Sequence, residues 1–260
     1  MEQVLQTKVE PQQAAVFWLG QAGFLIKTAN GKQIAIDPYF SDCVQRSLPG
    51  RGWGFKRLMP PPCEASELDL DVLFISHEHK DHFDVDAVQD LVNGKTQVYT
   101  NCVVAAQMEE MGFNKNQLHV MKKGVWEEMD GFRTLPVDCD HGALAPEALG
   151  LIIDFGFAKL YYAGDTALTL DRLTVPMEMH PELAILPING AFGNLNGIEA
   201  AKYAGMLKCK TCIPCHFWTF PLHHGDPQEI IDNIESEAPG CELELLTQGE
   251  CYLLKNEAQR

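Results

Sequence analysis

Short bursts of apolar residues separated by polar ones open the chain. Residues 16–19, 24–28 and 33–37 read as strands, with Asn30-Gly31 as the turn between the second and third, because Asn-Gly tolerates the positive φ angles of a hairpin. Residues 38–68 are rich in Pro, Gly and Arg and read as a long loop; long loops inside compact domains are uncommon and often functional. The apolar run 71–76 (DVLFIS) suits a buried strand. A helix is expected from Asp84, which caps it, with Val85, Val88 and Val92 on one face. A strand at 97–100 and a helix at 103–111 complete a first half. In the second half, strands are expected at 132–137, 149–155, 159–163, 184–188 and 211–214. Between the last two, Asn196 and Glu199 have capping-box spacing ahead of Ala200, Ala204 and Leu207. A last helix opens at Asp226-Pro227, with Pro at its favoured first position. Hairpin-linked strands with interspersed helices in each half suggest two sheets packed face to face under outer helices, in an α/β (α+β) chain. A doubly wound α/β sheet is the rival reading. Chains of this length in such folds often form one domain, so 1–260 is expected to be a single domain.

Composition narrows the class. With 260 residues and 46% hydrophobic content the chain can bury a large core. Its formal net charge is −16, which argues against nucleic acid or an anionic membrane as partner, since phosphate neutralisation needs clustered Lys and Arg. No secretory pattern or long apolar span is visible, and nine cysteines are scattered without a framework. Reduced thiols in a cytoplasmic protein are the expectation. Nothing in the pattern argues for or against a homo-oligomer.

The chemistry concentrates in Ser76-His77-Glu78-His79-Lys80-Asp81-His82, directly after the apolar run. So many histidines and carboxylates in one turn cannot all be buried structural groups, because each left unpaired costs about 1–3 kcal/mol. Imidazole and carboxylate are ordinary ligands of divalent metals. At a strand end, His77 and His79 can converge on one ion, while Asp81 and His82 on the following turn reach a second. Further ligands should lie at other strand ends, and His141, Asp165 and His216 each follow an apolar run with Gly or Pro nearby.

The order HxHxDH, H, GDT, PxH resembles the metallo-β-lactamase superfamily. That resemblance implies a four-layer αββα sandwich of the metallo-β-lactamase type with a dinuclear site. It implies His77, His79 and His141 on one metal, Asp81, His82 and His216 on the other, and Asp165 bridging them. It also makes Asp37 a support for the ligand loop. The stretches Trp18–Gly23 (WLGQAG), Gly190–Asn196 (GAFGNLN) and Asp226–Ile230 (DPQEI) are similar to the branch containing L-ascorbate-6-phosphate lactonase.

Two divalent ions, zinc or manganese with iron as an alternative, are thus the expected cofactors. A metal-bound hydroxide would attack, with Asp81 and His82 catalytic as well as ligating. His223 and His224, in a loop close after His216, are further catalytic candidates. From Cys43 to Cys63 the chain carries no acidic residue but has Arg46, Arg51, Lys56 and Arg57. Such a segment suits a small anionic substrate, and Asn189 and Phe192 join those four as substrate-contact candidates. The expected activity is hydrolysis of a small anionic ester or lactone, as in a sugar-phosphate lactonase. A phosphodiesterase or nuclease is the second enzyme reading, and a metal-binding or regulatory protein with an inactive site is the non-enzyme one. The Cys209, Cys212, Cys215 run and the CIPCH pattern resemble haem or zinc motifs, but context argues against both.

Overall fold

The computed structural model describes residues 6–48, 50 and 52–256, which fall into two compact units. The first takes residues up to Met121, with Thr219–Leu222 and the stretch from Thr247 onward. It opens with the expected meander, β1 (Gln13–Gly20), β2 (Gly23–Thr28) and β3 (Gln33–Ile36), paired antiparallel. The turn forms as its sequence dictates: Gly31 takes φ +85° and its N–H donates to Thr28 O at 2.9 Å. Then come α1 (Cys43–Ser47), β4 (Val72–Ile75), α2 (Val88–Leu91), β5 (Gln97–Thr100), α3 (Cys102–Glu110) and β6 (Leu118–Val120). The late strand β14 (Cys251–Lys255) pairs antiparallel with β1, and the seven strands lie in the order β14-β1-β2-β3-β4-β5-β6. From β3 to β6 the pairing is parallel. Strand alternation puts Ala15, Phe17, Leu19, Leu25, Leu73 and Ile75 on one face, where they pack with Val88, Leu91, Val104 and Met108 of α2 and α3.

The second unit takes Lys122–Trp218 and His223–Leu246. Its strands are β7 (Glu127–Met129), β8 (Phe132–Asp138), β9 (Leu149–Asp154), β10 (Lys159–Tyr162), β11 (Leu183–Pro187), β12 (Thr211–Cys215) and β13 (Glu242–Leu243). Their spatial order follows the sequence, antiparallel from β7 to β10 and parallel from β10 to β13. Its helices are α4 (Thr174–Met179), α5 (Gly197–Leu207) and α6 (Pro227–Glu237). The capping box of α5 is complete: Asn196 Oδ1 accepts from Glu199 N at 2.9 Å and Glu199 Oε2 from Asn196 N at 3.0 Å. Asp226 caps α6 through Gln228 N, with Pro227 at the first turn.

Local pattern misplaced one helix. Asp84 was expected to open a helix, yet the following residues form turns and the helix begins only at Val88. The Asp84 carboxylate still caps the turn, accepting from Asp86 N and Ala87 N, and it also accepts from Phe40 N, Ser41 N and Ser41 Oγ. Residues 38–68 are also not bare loop, since α1 and two single 3₁₀ turns lie within them. Among the described residues, no helix is long and apolar enough to cross a membrane.

Candidate metal centre

Strand direction decides which loops share an edge. In the first unit β1, β3 and β4 run the same way, because β1 and β3 are each antiparallel to β2 and β4 is parallel to β3. Gln21, Asp37 and His77 therefore all follow carboxyl ends on one edge of the sheet, where α/β proteins place ligands. In the second unit β8, β10, β11 and β12 likewise share a direction. That puts His141, Asp165, Asn189 and His216 just beyond carboxyl ends on one edge.

The first ligand set is built on the turn after β4. His82 N and Phe83 N both donate to His79 O, at 2.9 and 2.7 Å, which curls residues 79–83 into a tight turn. Phe83 is fully buried in the core under α2 and α3 and anchors that turn. His77 Nε2 lies 3.0 Å from His79 Nδ1, and His82 Nε2 lies 3.8 Å from Asp81 Oδ2. From α1, the Cys43 thiol donates to Lys80 O at 3.3 Å; burial pushes that thiol up to about 11, so it stays a donor.

Behind the ligands sits a relay. Asp37, fully buried and at φ 44°, accepts from Ser76 N at 2.7 Å, from Ser76 Oγ, and from His82 Nδ1 at 2.7 Å. Ser76 Oγ, whose O–H donates to Asp37, accepts from His77 Nδ1 at 2.9 Å. Both rings thereby carry the proton on Nδ1 and present the lone pair of Nε2, the assignment that a metal ligand requires. Asp37, His77 and His82 offer ligand atoms within 4.8 Å of one another, but the Asp37 oxygens are committed to these hydrogen bonds, so Asp37 supports rather than ligates. On the same edge, Gln21 in a left-handed conformation donates from Nε2 to Asp81 Oδ2 at 2.9 Å. Trp18 holds Gln21 in turn, its indole N–H donating to Gln21 O at 3.0 Å.

The second set converges on Asp165. His141 Nε2 lies 3.6 Å from Asp165 Oδ2, and His216 Nε2 lies 3.4 Å from Asp165 Oδ1. All three residues are buried. Thr166 locks their loops together: its Oγ1 accepts from Asp140 N at 2.9 Å and its carbonyl from Leu195 N at 2.9 Å. Asp140, beside His141, sits below the ordinary carboxylate range because Thr169 donates to it at 2.6 Å and Arg172 lies close by.

These donors fit a divalent cation. Separations of 3.4–3.6 Å are too long for good hydrogen bonds. They are close to the edge of a ligand polyhedron, since two ligands each about 2.0–2.1 Å from one ion lie about 2.9–3.4 Å apart. The set is nitrogen and oxygen only, as zinc, manganese and iron accept.

The remaining candidates fall in different places. Arg46 is ion-paired with Asp42 at 2.6 Å and with Asp86, so its charge is already balanced. Lys56 is exposed and lies 5.8 Å over the Trp53 ring. Arg57 lies 4.3 Å over the Tyr39 ring and donates to Tyr39 O; burial lowers its pKa. Arg51 lies outside the described residues. In the second unit, Phe192 and His223 are exposed and stack edge to face at 4.5 Å. Burial and the nearby His216 lower the His223 pKa. His224 is exposed, and its carbonyl accepts from Trp218 N at 2.6 Å. Asn189 is buried, and so is Asn194, which sequence reasoning passed over. Asn189 Oδ1 and both polar side-chain atoms of Asn194 lack a hydrogen-bond partner among the described residues. Cys209, Cys212 and Cys215 join no metal-capable group among the described residues, and none of the nine cysteines is in a disulfide there.

The similarity to known proteins covers the same ground. A family model described as the beta-lactamase superfamily domain matches residues 15–216, from β1 through His216. A protein of Pelotomaculum thermopropionicum named "UPF0173 metal-dependent hydrolase" is 30% identical over 247 residues, covering 90% of this chain and 97% of that one. One of the same name from Aeropyrum pernix is 28% identical over 253 residues, covering 92% and 97%. Among solved structures, a metallo hydrolase from the archaeon Ignicoccus hospitalis superposes with a TM-score of 0.73 at 22% identity, covering 94% of this chain and all of that one. The mixed sheets and the two His/Asp sets define a metal-dependent hydrolase of the metallo-β-lactamase fold. The chain belongs to the beta-lactamase superfamily, alongside these metal-dependent hydrolases.

Proposed function

We propose that this protein hydrolyses a small anionic ester or lactone, of the sugar-phosphate lactone kind, with two divalent ions as cofactors. His77, His79 and His141 would hold one ion and Asp81, His82 and His216 the other, with Asp165 a ligand as well. The observation that carries the reading is the Asp37–Ser76 relay, which engages Nδ1 of His77 and His82 and leaves their Nε2 atoms to a metal. When bound, such ions supply Lewis acidity toward a carbonyl or phosphoryl oxygen and acidify water at neutral pH. Asp81, oriented by Gln21, takes the proton of the attacking water. Asn189 Oδ1 and Asn194 Oδ1 accept from hydroxyl groups of the substrate and Asn194 Nδ2 donates to one of its oxygens, which relieves unmade hydrogen bonds costing about 1–3 kcal/mol each. Phe192 with His223 gives that subsite an aromatic lip. The cations Lys56 and Arg57, in a segment free of carboxylates, favour an anion on an otherwise acidic chain.

Elemental analysis of the purified wild type and of His79→Ala and Asp165→Ala tests the centre. About two equivalents of zinc, manganese or iron in the wild type, lost in both variants, is the expected result. No metal in the wild type, even after manganese or zinc is added, overturns it. For the substrate, sugar-phosphate lactones are set against an aryl phosphodiester. Turnover of the diester alone replaces the lactonase reading with a phosphodiesterase.

A further inference from the structure

The second unit holds a thiol pair that takes no part in the ligand sets. Cys209 follows α5 and Cys241 lies in the turn leading into β13; their sulfurs stand 3.7 Å apart across 32 positions of sequence. The backbone around both is fixed. Glu242 N donates to Lys210 O at 2.8 Å and Cys241 N to Ala238 O at 2.9 Å. Beside them α5 and the end of α6 touch backbone to backbone, since a Cβ at Gly205 would fall 2.1 Å from Glu237 O. Cys209 is only 5% exposed, whereas Cys241 is half-buried. Both line an open pocket of about 360 Å³ whose other walls include Lys208, Lys210, Pro239 and Gly240.

We propose that Cys241 and Cys209 form a thiol–disulfide exchange site for low-molecular-weight disulfides with anionic groups, Cys241 as the attacking and Cys209 as the resolving thiol. The chemistry balances without a further reactant. The Cys241 thiolate attacks one sulfur of the small disulfide and expels the other half as a thiolate, leaving a mixed disulfide on Cys241. Cys209 then gives up its proton and attacks the Cys241 sulfur, and the second half departs as a thiol. The two protein sulfurs are oxidised to a disulfide and the small disulfide is reduced to two thiols. Closing to the S–S length of about 2.0 Å needs only a small side-chain movement from the distance found.

The roles follow from the surroundings. The two thiols share a hydrogen bond in which either sulfur can donate; that bond, with burial, pushes Cys209 well above the usual thiol value and holds Cys241 below it. The more accessible sulfur is thus the one with thiolate character, as exchange requires. Lys208 and Lys210 line the pocket, and their ammonium groups can pair with the carboxylates of a tripeptide disulfide. Cys212 in β12 is fully buried, and burial raises its thiol well above the usual value, so it stays a bystander.

The test uses the full-length protein and glutathione disulfide under native conditions, with free thiols then blocked and disulfide-linked peptides mapped by mass spectrometry. The expected product is a peptide linking Cys209 to Cys241, with Cys212 still a thiol. Cys209→Ser should instead accumulate glutathione on Cys241, and Cys241→Ser should give neither product, with melting curves confirming that each variant is folded. The exposed Cys102 serves as the control for simple accessibility. Glutathione on Cys102 with Cys241 still reduced overturns the proposal. So does equal glutathione on Cys241 in the wild type and Cys209→Ser with no linked peptide. The wild-type map alone decides if Cys209→Ser does not fold.

Discussion

Asp37 and His82 meet at 2.7 Å across 45 positions of sequence, a carboxylate at the end of one strand holding a ring at the end of the next. The contact carries no ligand atom, yet it decides which nitrogen His82 offers. Asp37→Asn keeps the shape and removes the charge. It is expected to weaken metal binding by about 10–100-fold while costing about 1–3 kcal/mol of stability in the metal-free protein. A competitive chelator titration measures the first and urea denaturation the second; unchanged metal affinity would remove Asp37 from the centre.

Gln21 reaches Asp81 from the end of β1. Because Gln21 sits at φ 53°, Asn is the substitution that tolerates the backbone while being too short to reach. Gln21→Asn should lower affinity for one metal equivalent by about tenfold and leave the other unchanged. Calorimetric titration with manganese resolves the two steps, and a uniform loss in both would assign Gln21 a merely structural part.

Asn196 closes the capping box of α5 far from any chemistry. Asn196→Ala should cost about 0.5–2 kcal/mol, read as a lower urea midpoint at unchanged slope. Metal content should stay at the wild-type value.

Asp71 gives the chain a small acid sensitivity. Burial pushes its carboxyl up, but the Gln33 N–H and the Lys95 and Lys32 ammonium groups outweigh burial, and the group rests below its ordinary 3.8. A carboxyl depressed on folding stabilises the protein above its unfolded value and loses that contribution as pH falls through the folded one. Asp71→Asn should therefore melt lower than wild type above about pH 4, with the gap closing as the pH drops below that. The gap should be modest, about 1 kcal/mol or less for a partly exposed carboxylate. Paired thermal melts across that range measure it, and a gap that widened in acid would reverse the assignment.

Much of the fold was legible because the ligand-bearing loops follow long apolar runs. DVLFIS announces β4, and the Asn196–Glu199 spacing announces α5 to the residue. What escaped was non-local or too short. Asp84 caps its turn as its sequence suggests, but nothing local announces Phe40 and Ser41, which reach its other oxygen from 44 and 43 positions away. Strands β6, β7 and β13, of two or three residues each, give no period to read. Arg46 looked unopposed because Asp42 lies one residue outside the acid-free window and Asp86 forty residues on. Gln21 carried a family resemblance, but its reason appears only once β1 is seen to run parallel to β3 and β4. The Asn194 amide gave no local signal; its interest comes from burial without a hydrogen-bond partner.

Strand β14 sets the order of events at the ribosome. It pairs with β1 from Gln13 opposite Lys255 to Phe17 opposite Cys251, so the sheet of the first unit spans nearly the whole chain. During synthesis that sheet has an open edge at β1 until residues 251–255 have emerged, after the entire second unit has been made. Contacts this distant in sequence form late and slow folding, and an unpaired edge invites pairing with another chain. The nascent first unit thus keeps an edge open to misassembly until β14 arrives, and a chain stopped before Cys251 keeps that exposure permanently.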